Sequence, residues 1–471
     1  MKAFGSMPGR NRGAYLAMMA LLMVVLIGVA ALALDVGRVL VLRMQMQNAA
    51  DAAALAAAVE LNGRDGARER ARAAARDLLE HDSGFAEASD LLGERGLPDD
   101  AITFFCVIGS NQDVEADIPG FADFCGGGEV EPNKFAATSD AESHYVQVRL
   151  DPELATEEGR YTLDLIFLPV LQALGEETLE QVELKARAVA GRTFFQCNYP
   201  PMAICDPFES SGGNFRDDMP VGGHIQLKQQ GANQWTHGNF GFLEPLAGGP
   251  GASDVALYLA DEGLTGCQPP IVTTKTGNMT NKTAAALNTR MDDYGPPAPF
   301  NSPSAPADWP PAPNVMEYPP DQNTLPQDGR YGTGDWDFMG YWNSAHPGLP
   351  APNGWNNAAP PSRWQVYSWE IDNGQVSAAG QPDPSHVYTG DYPPPVSNAR
   401  RRLFHVAMLS CEALGLTGGK RTAPVFGHDG FAKIFMMRKA EGPPVGEIYG
   451  EYVGWGDESE ADYHVDVQLY E

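Results

Sequence analysis

The chain opens on one unbroken apolar run. Ala14 to Leu34 reads AYLAMMALLMVVLIGVAALAL, 21 residues without a charge. As a helix it would extend roughly 31 Å, enough to cross a hydrocarbon core. Helical character then continues without the apolar monotony. Val36 to about Leu61 contains no Pro, its only Gly is Gly37, and it is rich in Ala, Leu, Met and Gln, all strong helix formers. Asn62-Gly63 should break the helix. Arg64 to Glu80, with Arg and Glu/Asp at helical spacing, should resume it.

Further along, the period shortens. Ser143 to Leu150 and Val182 to Phe195 read as extended segments, with a short helix expected over Leu163 to Leu174. Two more helices are expected at Ser253 to Glu262 and Thr280 to Asp293. From Arg400 onward strands dominate: Leu403 to Cys411, Val425 to Arg438, Glu447 to Trp455 and Tyr463 to Leu469. Prolines at 296, 297, 299, 303, 306, 310, 311, 313, 319, 320 and 326 mark about 295–326 as an extended linker or surface loop inserted in the second domain. The fold class is α+β. A long N-terminal helix leads to a small helix-plus-sheet region, followed by a loop-rich mixed α/β domain with an antiparallel sheet.

Charge divides the chain. Net charge is −29, but residues 1–80 carry net +3 and residues 81–471 net −32. So acidic a body repels nucleic acid and anionic lipid headgroups, so no nucleic-acid partner is expected. Hydrophobic residues at 43% and charged residues at 20% are globular proportions. Lys2, Arg10 and Arg12 precede the apolar run without an acid among them, and Asp35 closes it. The positive-inside rule then gives a single-pass protein with residues 1–13 cytoplasmic, 14–34 spanning the membrane, and 35–195 and 196–471 outside. A cleaved signal peptide is the competing reading, with Ala31-Leu32-Ala33 as an A-x-A site. The length of the run and the lack of a turn former after it favour a retained anchor.

Six cysteines all lie beyond residue 100: Cys106, Cys125, Cys197, Cys205, Cys267 and Cys411. An even number confined to the exported part reads as disulfides made in an oxidising compartment. Fifteen pairings exist for six cysteines. Short separations favour Cys106–Cys125 and Cys197–Cys205, leaving Cys267–Cys411. No CxxC occurs, which argues against a zinc ribbon or a thioredoxin-like site.

The N-terminal block resembles the TadE/TadG-like region of Flp (tight adherence) pilus assembly proteins. The matching features are the basic start, the apolar helix, Asp35-Val36-Gly37-Arg38, Arg43-Met44-Gln45-Met46-Gln47, and Ala49-Ala50-Asp51-Ala52-Ala53-Ala54-Leu55-Ala56. The combination is specific over roughly the first 65 residues. A weaker likeness, through Ala186-Arg187-Ala188-Val189-Ala190-Gly191, runs to about 195 and implies a pilin-like plan of helix and small sheet. Cys197 to Cys205, Asn239 to Leu243 and Asn288-Thr289-Arg290 look like the TadG-related subgroup. The resemblance implies a structural, non-enzymatic component of the bacterial inner membrane, periplasmic in its bulk. Its partners would be other pilus assembly proteins and pilin-like helices. Asp35, Arg38, Gln47, Asp51, Ala52, Ala53, Ala56 and Ala57 are the candidates for helix packing, since small side chains admit close approach. The D-x-S-x-S of a von Willebrand A metal site is absent. Gly13 is followed at the processing spacing by Met18 where processed pilins have Glu, so prepilin cleavage is not expected.

Catalytic signatures are lacking. Gly415 to Thr422 has P-loop composition but wrong spacing, with Arg421 where Ser or Thr must hold magnesium. His224 and His237 are the nearest approach to a histidine pair. Asp335-Trp336-Asp337 lacks the fixed oxygen positions of an EF-hand. No metal or cofactor is therefore expected. The aromatics of 330–372, Trp342 and Trp355 among them, could stack on sugars as a glycan- or peptidoglycan-binding adhesin surface, or fill a core; the burial habit of Trp favours the core.

Overall fold

The computed structural model describes residues 12–81, 97–108, 127–132, 134–154, 161–166, 181–197, 199–228, 240–246, 251–261, 266–268, 271–275, 280–326, 329–376, 398–416, 419–425, 430–456 and 462–470. The chain divides into two compact units. The fold is mixed α+β: a long apolar helix, then β-rich structure with antiparallel sheets and paired cysteines.

Unit 1 comprises residues 1–106, 143–192 and 467–471. Helix α1 (Arg12–Val59) runs 48 residues, roughly 72 Å at 1.5 Å per residue. It ends where expected: Gly63 and Gly66 take positive φ, and α2 (Ala67–His81) turns back along it. Arg70 ties that turn, donating to Glu60 at 3.2 Å, Asn62 Oδ1 at 2.8 Å and the Asp65 carbonyl at 2.9 Å. The apposed faces are alanine: Ala50, Ala54 and Ala58 of α1 and Ala67, Ala71 and Ala75 of α2 are all fully buried. Strands β1 (Ile102–Ile108), β2 (Tyr145–Leu150) and β5 (Ala186–Cys197) form the antiparallel order β5-β2-β1. Gly191 faces Tyr145 across the ladder, and a side chain there would strike the rings of Tyr145 and Tyr470. A two-stranded ribbon, β3 (Thr162–Asp164) with β4 (Gln181–Glu183), occupies the start of the stretch expected to be helical from Leu163 to Leu174. Leu163 and Asp164 are strand because β4 supplies their hydrogen bonds; 167–174 lie outside the described residues.

Unit 2 comprises residues 107–142 and 193–466. Its elements include β6 (Met202–Cys205), β7 (His224–Lys228), β8 (Phe240–Phe242), α3 (Ala252–Ala260), β9 (Cys267–Gln268), β10 (Ile271–Thr273), α4 (Asn281–Asn288), α5 (Phe338–Ala345), α6 (Arg363–Asp372), β11 (Leu403–Leu409), β12 (Thr422–Pro424), β13 (Phe431–Met436), β14 (Glu447–Trp455) and β15 (Tyr463–Leu469). Six of these strands make one sheet in the order β8-β6-β11-β13-β14-β7. Phe404, Val406 and Met408 alternate along β11 into one core with α3 and α4, while Ala407 and Leu409 face another.

The disulfides differ from the sequence expectation. Cys197 bonds Cys267, not Cys205; Cys205 bonds Cys411, not Cys197. Sheet pairing overrides sequence proximity. Cys197 lies opposite Cys267 where β5 meets β9, with Cα atoms 3.9 Å apart. β6 runs parallel to β11 with Cys205 beside Leu409, which brings Cys411 within 5.3 Å. Cys106 is disulfide-bonded; Cys125 lies outside the described residues.

The proline-rich stretch is not a surface loop. Phe300, Ala305, Ala312, Asn314 and Tyr318 are buried. Proline lacks a donor but keeps its carbonyl, and here arginines supply the missing donors. Arg401 Nε donates to Pro310 O at 3.1 Å, Arg363 Nε to Pro319 O at 2.7 Å, and Arg402 Nη1 to Asn314 O and Met316 O at 2.9 Å each. Arg402 also donates to the carbonyls of Met436 and Met437 in and beside β13 and lies over the rings of Tyr318, Tyr367 and Phe435. Burial pulls its pKa below the usual guanidinium value.

The aromatic region 330–372 forms the third cluster. Trp336, Phe338, Trp342 and Tyr367 are essentially inaccessible. Their polar edges are satisfied inside: Trp336 Nε1 donates to Pro361 O and Trp342 Nε1 to Leu349 O, both at 2.8 Å. Glu370, fully buried, accepts from Asn314, Tyr318 and Tyr341 at 2.6 to 2.7 Å and lies 2.9 Å from His346 Nε2. Arg363 bridges Asp321 and Glu451.

Burial pushes the Glu451 carboxyl up to about 7 despite the Arg363 guanidinium and two backbone N–H groups beside it. Its ordinary value is 4.5, so between about pH 4.5 and 7 the native state holds a proton that the unfolded chain has released. Stability contributed by this group is present below that window and is lost as pH rises through it. All eight tryptophans lie in unit 2, so their fluorescence reports its unfolding. The thermal midpoint should be lower at pH 7.5 than at pH 5.5, and Glu451→Gln should flatten the difference. An identical pH slope in the variant would refute the assignment.

Candidate assembly helix

Helix α1 changes character along its length. From Tyr15 to Leu34 almost every side chain is exposed: Leu16, Met19, Leu21 and Ile27 each show 65 to 73% of their surface. The helix is long and apolar enough to cross a membrane. Beyond it one face is covered. Asp35, Leu42, Met46, Ala49, Ala50, Ala53, Ala54, Ala57 and Ala58 are buried, following the 3.6-residue period, against α2 and β2 within unit 1.

Polar residues fix that face. The Asp35 carboxylate, fully buried, accepts from the Ile166 backbone N–H at 3.2 Å. Arg38 Nη1 donates to the Asp164 carbonyl at 3.4 Å. Gln47 Nε2 donates to both Asp51 Oδ1 and the Arg187 carbonyl at 2.7 Å. Asp35 and Arg38 therefore hold the β3–β4 ribbon end, and Gln47, oriented by Asp51, holds β5.

Of the four alanines named for packing, Ala53 and Ala57 are fully buried by the chain's own elements, and Ala52 and Ala56 are half-buried. Sequence reasoning passed over a second stripe. Val36, Leu40, Val41 and Met44 are 45 to 66% exposed on the side away from Leu42 and Met46. Their i, i+4, i+5, i+8 spacing was the available signal.

The residues weighed for other chemistry have structural partners. Asp337 caps α5 through Gly340 N and accepts from Asn357; Asp335 accepts from Asn323 and Thr333. His224 is buried, its Nδ1 accepting from Asp321 N at 3.1 Å, while His237 lies outside the described residues. Arg421 N donates to Thr274 Oγ1, part of the β10–β12 ribbon. Cys197, Cys267 and His464 lie within 4.8 Å by their ligand atoms, but the two sulfurs are joined to each other and are not thiolates.

The segment that carries this geometry has relatives. Residues 13–60 match the model of a family described as putative Flp pilus-assembly TadE/G-like. The match covers α1 almost end to end, including Asp35, Arg38, Gln47 and Asp51. It supports a role in pilus assembly and an interaction with the assembly machinery, and together with the apolar helix it supports a membrane-anchored protein. No curated protein and no solved structure matches the chain.

Replacing Asp35 tests the fixing of the TadE/G-like helix. Asp35→Ala leaves the Ile166 N–H without its acceptor, at a cost of about 1–3 kcal/mol. Hydrogen exchange at the Ile166 amide should accelerate, and Asp35→Asn, which keeps an acceptor oxygen, should fall between. Unaltered protection in Asp35→Ala would show that the contact does not hold the ribbon.

Proposed function

We propose that this protein is a non-enzymatic, single-pass structural component of Flp pilus assembly. Residues 14–34 anchor it in the bacterial inner membrane, the basic N-terminus faces the cytoplasm, and the acidic bulk stands in the periplasm. The observation that carries the reading is the division of α1 within the TadE/G-like match. An all-round apolar half suits lipid, and the half with one buried face suits a spine that ties the anchor to a folded body. Disulfides confined to the outer part suit an oxidising compartment. The positive-inside rule supports the orientation. Pilin-like helices of the machinery are the partners, meeting α1 along its exposed side.

Against a glycan-binding adhesin surface stand two of the region's tryptophans, while Trp355, Trp364 and Trp369 are partly buried. Trp336 and Trp342 are enclosed and spend their N–H groups on internal carbonyls, leaving neither ring face nor donor for a sugar.

Deletion in the native host tests the proposal through surface pili, measured by shearing and pilin immunoblot. Pili should be lost, restored by the full chain, and not restored by a chain lacking residues 1–65. Normal pili in the deletion strain would contradict the assembly role.

A further inference from the structure

The apolar exposure of α1 does not stop at Asp35. Leu32 and Leu34 are exposed just before it, and Val36, Leu40, Val41 and Met44 are exposed after it. With 3.6 residues per turn, Met44 lies roughly 180° around the helix from Asp35 and Leu40 roughly 140°. On the Asp35 side, the residue whose N–H that carboxylate accepts is Ile166, and Ile166 leaves 55% of its own surface uncovered. Apolar side chains are therefore exposed on opposite sides of unit 1 in one band, which begins where the all-round apolar half of α1 ends.

Height along the helix sets how far the band reaches. At 1.5 Å per residue, Leu40 lies about 9 Å and Met44 about 15 Å beyond Leu34. Side chains on a helix lean toward its N-terminus and cover the turn before their own Cα, so these lean back toward the anchor. A hydrocarbon core is about 30 Å thick, which Tyr15 to Leu34 fill, and each headgroup layer adds about 5–8 Å. An upright helix then places Val36, Leu40 and Val41 in the headgroup layer, and an ordinary tilt of about 20° brings Met44 to its margin. Arg43, exposed on the same stretch, has the length to reach lipid phosphates. A second helix would cover one side of α1. A bilayer surface covers a band all round.

We propose that this band is a lipid-contacting collar. Val36, Leu40, Val41, Met44 and Ile166 seat unit 1 in the headgroup layer of the bilayer that α1 crosses. Asp35 and Arg38, bonded to Ile166 and Asp164 of the ribbon end, hold Ile166 at the height where it meets lipid. The inference rests on the membrane anchoring of residues 14–34. It leaves the helix partners of pilus assembly to the spanning half of α1 and to the turns beyond Met44.

The test places a photoreactive benzophenone amino acid at single exposed positions of the full chain, where folding does not need the native side chain. The protein is reconstituted in vesicles of phosphatidylethanolamine and phosphatidylglycerol, and the adducts are identified by mass spectrometry. Leu26 in the spanning half and Val59, equally exposed on the same helix but roughly 37 Å beyond Leu34, set the two limits. Leu40, Met44 and Ile166 should each give lipid adducts, as Leu26 does, and Val59 none. Lipid adducts at Leu26 with none at Leu40 and Ile166 would overturn the collar and leave the anchor standing. Adducts at Leu40 and Ile166 to a second copy or within the same chain, in place of lipid, would overturn it too, as would lipid adducts on one side of α1 only. No lipid adduct at Leu26 would overturn the anchor, and the collar with it.

Discussion

The buried Asp35 carboxylate, accepting the Ile166 N–H, stands at the position where helix α1 exchanges one environment for another. Before it, nearly all the apolar side chains from Tyr15 to Leu34 are exposed, Ala31 excepted, a state that water does not tolerate over 20 residues and lipid does. After it, the same helix has a covered face and an exposed face, as a helix packed on a globular body must. A carboxylate at that depth needs a fixed donor to offset its desolvation. About one turn on Arg38 reaches the backbone of the β3–β4 ribbon, and about three turns on Gln47 reaches that of β5. The alanines between them let α2 and β2 lie close, so the spine is stiffened by backbone proximity more than by large side chains.

Unit 2 solves a different problem. Its proline-rich and aromatic stretches offer many carbonyls and few backbone donors, and buried arginines supply what is missing. Arg402 donates to backbone carbonyls and lies over aromatic faces, and Arg363 is shared by two buried carboxylates. Such groups stabilise little in net terms, because desolvation offsets the attraction, but they fix one arrangement of long irregular segments.

What the sequence made legible follows from the range of the interactions. Helices α1 and α2, the break at Asn62-Gly63 and strands β11 and β14 rest on local periodicity and turn chemistry, and their limits were readable within a few residues. The pairing of Cys197 with Cys267 and of Cys205 with Cys411 rests on strands meeting across 70 and 206 residues, which spacing does not encode. Proline density between 295 and 326 correctly signals the absence of a hydrogen-bonded ladder. It says nothing of Arg363, Arg401 and Arg402, which arrive from elsewhere to bury the stretch. On the assembly helix, the motif residues Asp35, Arg38 and Gln47 were readable, while which alanine faces the body and which faces outward required the positions of α2 and β2.

The account turns on α1 serving two surroundings. Single nitroxide labels placed successively from residue 16 to 48, in the protein reconstituted in lipid bilayers, measure this through collisions with oxygen, which concentrates in lipid, and with a water-soluble nickel complex. Uniformly high oxygen and low nickel accessibility from 16 to 33, changing after Asp35 to a 3.6-residue oscillation with minima at 42, 46 and 49, is the predicted profile. An oscillation of that period through residues 16 to 33 would place the apolar half against protein on one face and contradict the account.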